Sequence, residues 1–362
     1  MSQAENRNPE IQHEIQGTKL LGAQVHASWP LLKWGGLLLV ILALLAAPMF
    51  ASRYILFVLS LWAVTTIAAQ GLNLTMGYAG KISLAQAAFM GIGAYVSVLL
   101  VKEAGVNFWW SMLIATLVCM LIGAGIGFPA LRVDGHYLAF VTLGFGELVY
   151  LVVRNEDQWT GGPMGILNIA RPNFFGISLF SSTNFYYFTL VMLALSSLFV
   201  WYMVRSPWGR AFKALRDNPN RAESLGISTT AYTLLAFAIG SGLGGVAGVL
   251  TAPLIEFIDP QSFQLIRSLE FLLMVMVGGR GTLAGPFIGA FFAKVLPEWL
   301  RFANDYYLIF FSIVVMVFII FFPNGIAGFG PTLRKRFFER NYIGNSTGEN
   351  TTGENTTGGD VS

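Results

Sequence analysis

The chain has 362 residues, of which 55% are hydrophobic and 11% charged, and its mean hydropathy is +0.62. So few charges cannot cover a water-soluble globule, so the composition indicates an integral membrane protein, and the succession of long apolar spans makes it an all-α polytopic one. The net charge of +3 is scattered over loops and tail, which argues against a nucleic-acid surface, and the single cysteine, Cys119, excludes a disulfide within the chain. Histidines at positions 13, 26 and 136 have no metal-ligand spacing, so no metal is expected.

Residues 1–34 are mixed polar, without the basic start, apolar centre and small-residue cleavage site of a signal peptide, and are expected to form a cytosolic extension. A first crossing is expected from about Gly35 to Ala51 and a second from about Tyr54 to Gln70, with a tight turn at Ser52-Arg53 between them. The next stretch, GLNLTMGYAGKISLAQAAFMGIGAY from Gly71 to Tyr95, is an apolar pattern interrupted by glycines, Asn73, Ser83 and Gln86. Backbone that leaves the helix at membrane depth must be buried in protein or line a watery cavity, because hydrocarbon satisfies neither N–H nor C=O. Gly77, Gly80, Ser83 and Gln86 are therefore candidate translocation-pathway residues. The same residues are equally compatible with a short loop and a helix whose Gly91, Gly93 and Ala94 permit close packing.

Further crossings are expected at about Trp110 to Ala130, Tyr137 to Val153 and Phe185 to Val204, with Arg132, Asp134 and His136 in the turn between the first two of these. Within GHYLAFVTLGFGE, Thr142 and Glu147 are candidates for the pathway. An ionisable group inside a span usually faces a bundle interior or water; the other reading of Glu147 is a carboxylate near the interface paired with Arg154. The turn-rich segment from Asn155 to Asn184, with TGGPMGI and PNFFG, is expected outside.

A polar, basic island follows, SPWGRAFKALRDNPNRAESLGI from Ser206 to Ile227, between two long apolar segments. Arg205, Arg210, Lys213, Arg216 and Arg221 face only Asp217 and Glu223, an excess that marks the cytoplasmic side. The pattern predicts two short helices, Arg210 to Arg216 and a second after the Asn218-Pro219 break, with Asn220 as its cap and Gly226 just past its end. Such a knob suits a docking partner; an ordinary solvated loop whose charges only fix topology fits the composition as well.

The next crossing, about Tyr232 to Thr251, carries Gly240, Gly244 and Gly248 on one helix face, a packing signal. Two shorter apolar stretches, about Ile266 to Val277 and Leu283 to Leu296, flank a second glycine-broken turn in which Gly278, Gly279 and Gly281 are candidate pathway residues. The two glycine stretches share a Leu-Ala…Phe-x-Gly ending at a spacing that differs by one residue, which chance explains as readily as duplication. A last crossing near Tyr306 to Phe322 gives about ten transmembrane helices, some broken or short, and places the basic residues Arg334, Lys335 and Arg336 inside; nine with an external tail is the alternative. Residues 331–362 end in the repeat NSTGE-NTTGE-NTTGG, which has no apolar content to fold. Its Asn-x-Ser/Thr triplets match the glycosylation pattern, but a cytosolic tail does not meet that machinery.

Together, GLNLTMGYAGKISLAQAAFMGIGAY, GHYLAFVTLGFGE, TGGPMGI, WGRAFKALRDNPNRAESLGI and SLEFLLMVMVGGRGTLAGPFIGA resemble the branched-chain amino acid ABC-transporter permeases, of the LivM rather than the LivH type, over roughly residues 40 to 325. The resemblance implies an ABC-importer permease bundle in residues 35–330 of a bacterial-type cytoplasmic (inner) membrane. It makes segment 205–227 the coupling segment that docks on the ATPase, with Arg210, Lys213, Arg216, Arg221, Ala222, Glu223 and Gly226 at that junction. Here Arg-Ala-Glu-Ser-Leu-Gly stands where the family has a Glu-Ala-Ala-plus-glycine signature. The implied partners are cytoplasmic ABC ATPase subunits, a second, LivH-like permease in a heterodimer, and a periplasmic substrate-binding protein. The chain has no GxxxxGK[ST] phosphate loop, so it is expected to be no enzyme, to bind no cofactor itself and to leave ATP to its partners. Urea or amides remain open as substrates, and an ion-coupled secondary transporter using Glu147, Glu270 or Lys294 is the reading from another class.

Overall fold

The computed structural model describes residues 38–131, 136–174 and 177–299, together with positions 316, 325 and 326. The extension 1–34, the turn at Arg132 and Asp134, the tail 331–362 and, but for Met316, the expected crossing from Tyr306 to Phe322 lie outside these residues. The chain forms two units, residues 1–56 and 57–362. In the first, α1 (Leu38–Phe50) ends before the expected tight turn, where the Ser52 hydroxyl accepts the Ile55 N–H at 3.4 Å and starts α2 (Arg53–Leu72).

In the second unit α2 widens into a π-helix at Asn73–Tyr78. There follow α3 (Gln86–Lys102), α4 (Phe108–Gly127), α5 (His136–Asn155), the single turn α6 (Asp157–Thr160) and α7 (Ser182–Arg205). The island folds as α8 (Pro207–Asp217) and α9 (Pro219–Ser224), and the chain continues with α10 (Thr229–Ile255), α11 (Leu265–Gly278) and α12 (Gly285–Trp299). Among the described residues, five helical stretches are long and apolar enough to cross a membrane: Arg53–Tyr78, Phe108–Gly127, Tyr137–Asn155, Ser182–Arg205 and Thr229–Ile255.

α10 is the packing centre of this unit, because its glycines let backbone approach backbone. Gly240 lies against the Gly71 carbonyl and Thr75, Gly244 against Gln86 and Phe89, and Gly248 against the Met90 backbone, so the predicted glycine face is the seam with α2 and α3. On the opposite side Gly242 meets Met120 and Gly245 meets Cys119 of α4. Cys119 is a small buried hydrophobe there, its thiol directed at the Phe89 carbonyl at 3.4 Å. The most apolar windows of α2 and α10 are each 78% buried, that of α5 only 11%. Phe140, Leu148 and Val152 of α5 are exposed, an apolar surface that suits lipid or another chain.

At the end of the bundle away from the island, the turn-rich segment folds into short strands. β1 (Ile166–Leu167) pairs antiparallel with β4 (Phe257–Ile258), and β2 (Asn173–Phe174) with β3 (Ile177–Ser178). Arg171 pairs with Glu256 at 2.9 Å beside these strands, joining the turn-rich segment to the end of α10.

Candidate functional site

The knob forms because each of its helices has a start signal. The Ser206 hydroxyl accepts the Trp208 N–H at 3.2 Å ahead of Pro207, and the Asn218 side chain accepts the Arg221 N–H at 3.0 Å ahead of Pro219. The cap of the second helix is thus Asn218 and not the expected Asn220. Proline belongs at the first helical position, which leaves the residue before it, extended at φ −162°, to do the capping. Gly226 ends the helix at φ +79°, with its N–H on the Glu223 carbonyl at 2.9 Å, as the pattern predicts.

α8 is amphipathic. Ala211, Phe212 and Leu215 are buried, with Phe212 edge-on to the Tyr232 ring at 6.1 Å, while Arg210 and Lys213 are exposed. On α9, Ala222 is buried, and Arg221 and Glu223 are exposed. Gly226 is exposed with open space around it, beside the 79%-exposed Leu225. Of the candidate docking residues, then, Arg210, Lys213, Arg221, Glu223 and Gly226 share the open surface, and Ala222 fixes the knob from beneath.

Arg216 behaves differently. Its guanidinium Nη1 donates to the Gly77 carbonyl at 2.9 Å, and its Nε donates to Asp217 at 3.3 Å. A Cβ at Gly80 (φ +73°) would stand 2.7 Å from Arg216 Cγ, and one at Gly281 (φ +71°) 2.7 Å from Arg216 Nη1. Only glycine accommodates both the left-handed backbone and the close approach. The two glycine-broken stretches are also tied to each other. The buried Asn73 side chain accepts the Gly281 N–H at 2.8 Å and donates to the Thr282 carbonyl at 2.8 Å. Sequence reasoning left Asn73 among the interruptions of a helix; the available signal was a lone amide in an apolar run, which must find partners when buried.

From this junction the backbone of residues 79–85 runs without helical structure to α3. At its far end the buried Gln86 donates to the carbonyls of Ala68 at 2.8 Å and Gly240 at 3.3 Å. Gly240 lies about three turns, or about 16 Å, inside α10. α3 therefore begins deep in the bundle. Its irregular approach is satisfied by hydroxyls: Thr142 accepts the Leu84 N–H at 2.9 Å, Ser268 accepts the Ala87 N–H at 3.1 Å, and Ser83 accepts the Ala85 N–H at 3.4 Å. This is how broken backbone is tolerated at membrane depth.

The structure brings together Gly77, Gly80, Gly281 and Arg216, and sets Ser83, Gln86 and Thr142 further in along the same segment. Gly278 and Gly279 are buried where α11 turns toward α12, Gly278 against the Gly285 backbone. Glu147 stands apart on the exposed face of α5. It is not the partner of Arg154, whose guanidinium donates to the Tyr150 hydroxyl at 3.1 Å and lies 5.8 Å from that ring, four residues back on the same helix face.

A family model described as the permease component of branched-chain amino acid transport systems matches residues 54–321. The chain belongs to this family. It is 35% identical over 316 residues to the "High-affinity branched-chain amino acid transport system permease protein LivM" of Escherichia coli, and 33% identical over 313 residues to that of Salmonella typhimurium. Each alignment covers 80% of this chain and 74% of the relative. It is also 29% identical over 203 residues to the "Autoinducer 2 import system permease protein LsrC" of Salmonella paratyphi B, covering 51% of this chain and 55% of that one. No solved structure is significantly similar to it. As a member of this permease family it is a helical membrane protein and a transport subunit, not an enzyme.

Proposed function

We propose that this chain is the LivM-type permease subunit of an ATP-driven importer for branched-chain or other neutral, hydrophobic amino acids. It has about ten crossings of a cytoplasmic (inner) membrane, with the segment 206–227 coupling ATPase motion to alternating access. The observation that carries the reading is the likeness to the LivM permeases over 80% of the chain, 35% identical in the E. coli protein. The geometry supports it from the other side. The knob offers Arg210, Lys213, Arg221 and Glu223 to a partner, while Arg216 on the same knob grips Gly77. A push on α8 therefore reaches both glycine turns through one guanidinium and one amide.

In this reading cytoplasmic ATPase subunits dock on the knob and supply the ATP chemistry, a LivH-like permease completes a heterodimer, and a periplasmic binding protein delivers the substrate. Co-purification of a candidate ATPase with the wild type and with a Glu223→Lys, Gly226→Arg variant, followed by amino-acid uptake in vesicles, tests it. Loss of ATPase binding and of uptake in an inserted variant supports the reading. Uptake driven by an ion gradient with no ATPase bound contradicts it.

A further inference from the structure

Helices α11 and α12 carry charges where the hairpin is otherwise apolar. Glu270 Oε2 accepts from Arg267 Nη1 at 2.8 Å and from Lys294 Nζ at 2.9 Å, so two cations share one carboxylate oxygen and the group keeps one excess positive charge. Among the described residues no hydrogen bond reaches Glu270 Oε1, and Arg267 Nε is buried without an acceptor. The group lies well inside the bundle: neighbouring Ser268 holds the first turn of α3, and Glu270 is about 12 Å along α11 from its end at Gly278. Ionisable groups at such a place front a protein interior or a water-filled cavity.

Beside Glu270 is a small open cleft, with Glu270 on its wall, Leu273, Met274, Val277, Phe292 and Ala293 as its apolar lining, and Arg267 and Lys294 reaching it only through the carboxylate they share. An incomplete cation–carboxylate group next to an aliphatic cleft has the three parts that recognise a zwitterion with an apolar side chain. There is a cationic pair short of one carboxylate, a carboxylate oxygen free to accept an ammonium, and a branched-aliphatic surface. We infer that the Arg267–Glu270–Lys294 group and the cleft between α11 and α12 are a binding site for the transported α-amino acid. Arg267 and Lys294 serve its carboxylate, Glu270 its ammonium, and Leu273, Val277 and Phe292 its side chain. This inference rests on the proposed transport function and adds the site to it.

The test uses the complete importer in lipid nanodiscs and competition against labelled L-leucine. The competitors are 3-methylbutylamine, which lacks the carboxylate, and 4-methylpentanoate, which lacks the ammonium. The wild type should prefer leucine to either by about tenfold or more, the usual weight of a hydrogen bond to a charged group. Arg267→Met should abolish the preference over the amine while the amine binds as before, and Glu270→Gln should abolish the preference over the acid. Leu273→Phe, which fills the cleft without touching a charge, should reject leucine and still take alanine. Should each charge variant weaken all three ligands equally, or leave all three unchanged, the group merely holds the hairpin together and the inference is overturned. It is overturned as well if Leu273→Phe takes leucine like the wild type. ATP-driven leucine uptake that survives all three variants unchanged sinks this site and leaves the transport function standing; a wild-type complex that takes up no amino acid sinks both.

Discussion

The knob and the α11–α12 hairpin use the same side chains, arginine, lysine and glutamate, under opposite conditions. On the knob, Arg210, Lys213, Arg221 and Glu223 stand in the open. The knob is held by what is beneath them: Phe212, Leu215 and Ala222. On the hairpin the charges themselves are the packing, with Lys294 only 11% exposed and both cations on one oxygen. Surface charge is cheap to remove, whereas a buried group left without its counter-charge is not. Arg216 belongs to both worlds, half-exposed on the knob and bound to the Gly77 carbonyl within.

The knob is most vulnerable from its apolar side. Phe212→Ala should cost about 3–5 kcal/mol of packing and release α8, seen as proteolytic cleavage near Asp217 with the membrane helices still folded. Next is Glu270→Gln, which sets Arg267 against Lys294. It should cost about 2 kcal/mol, below the range for fully buried pairs because Glu270 is partly exposed, and show as a lower midpoint of thermal unfolding in detergent. Gly226→Ala forces a side chain into a left-handed position and should cost about 1 kcal/mol, with weaker ATPase binding in a pull-down because the α9 end is re-aimed. Smallest for stability is Lys213→Gln, within about 0.5 kcal/mol, yet it should lower ATPase affinity and its salt dependence. A Lys213→Gln variant that unfolds like Phe212→Ala would erase the distinction.

Much of the fold was legible because hydropathy and punctuation agree. Helices α4, α5, α7 and α10 begin and end within a few residues of the apolar runs, and Gly240, Gly244 and Gly248 form the predicted seam. The knob was legible as charge and as two helices, since the Asn218-Pro219 break and Gly226 are local signals, although the cap itself is Asn218 and not Asn220. Arg216 was not distinguishable from Arg210 or Arg221, because its partner Gly77 is 139 residues away and a carbonyl leaves no mark in the sequence. The Asn73 bridge to Gly281 spans 208 residues and was hidden for the same reason. Glu270 and Lys294 were visible as intramembrane charges, but Arg267, within the same apolar stretch, was not singled out. Its role emerges only when α11 folds back beside α12.

Arg216 connects the exposed knob, the proposed ATPase dock, to the glycine turns. The most direct test is an Arg216→Met permease in the reconstituted importer, with ATP hydrolysis and leucine uptake measured on the same vesicles. The ATPase should still bind and hydrolyse ATP while uptake falls at least tenfold, because the docking surface is intact and the bond to Gly77 is gone. Wild-type uptake per ATP hydrolysed would contradict it.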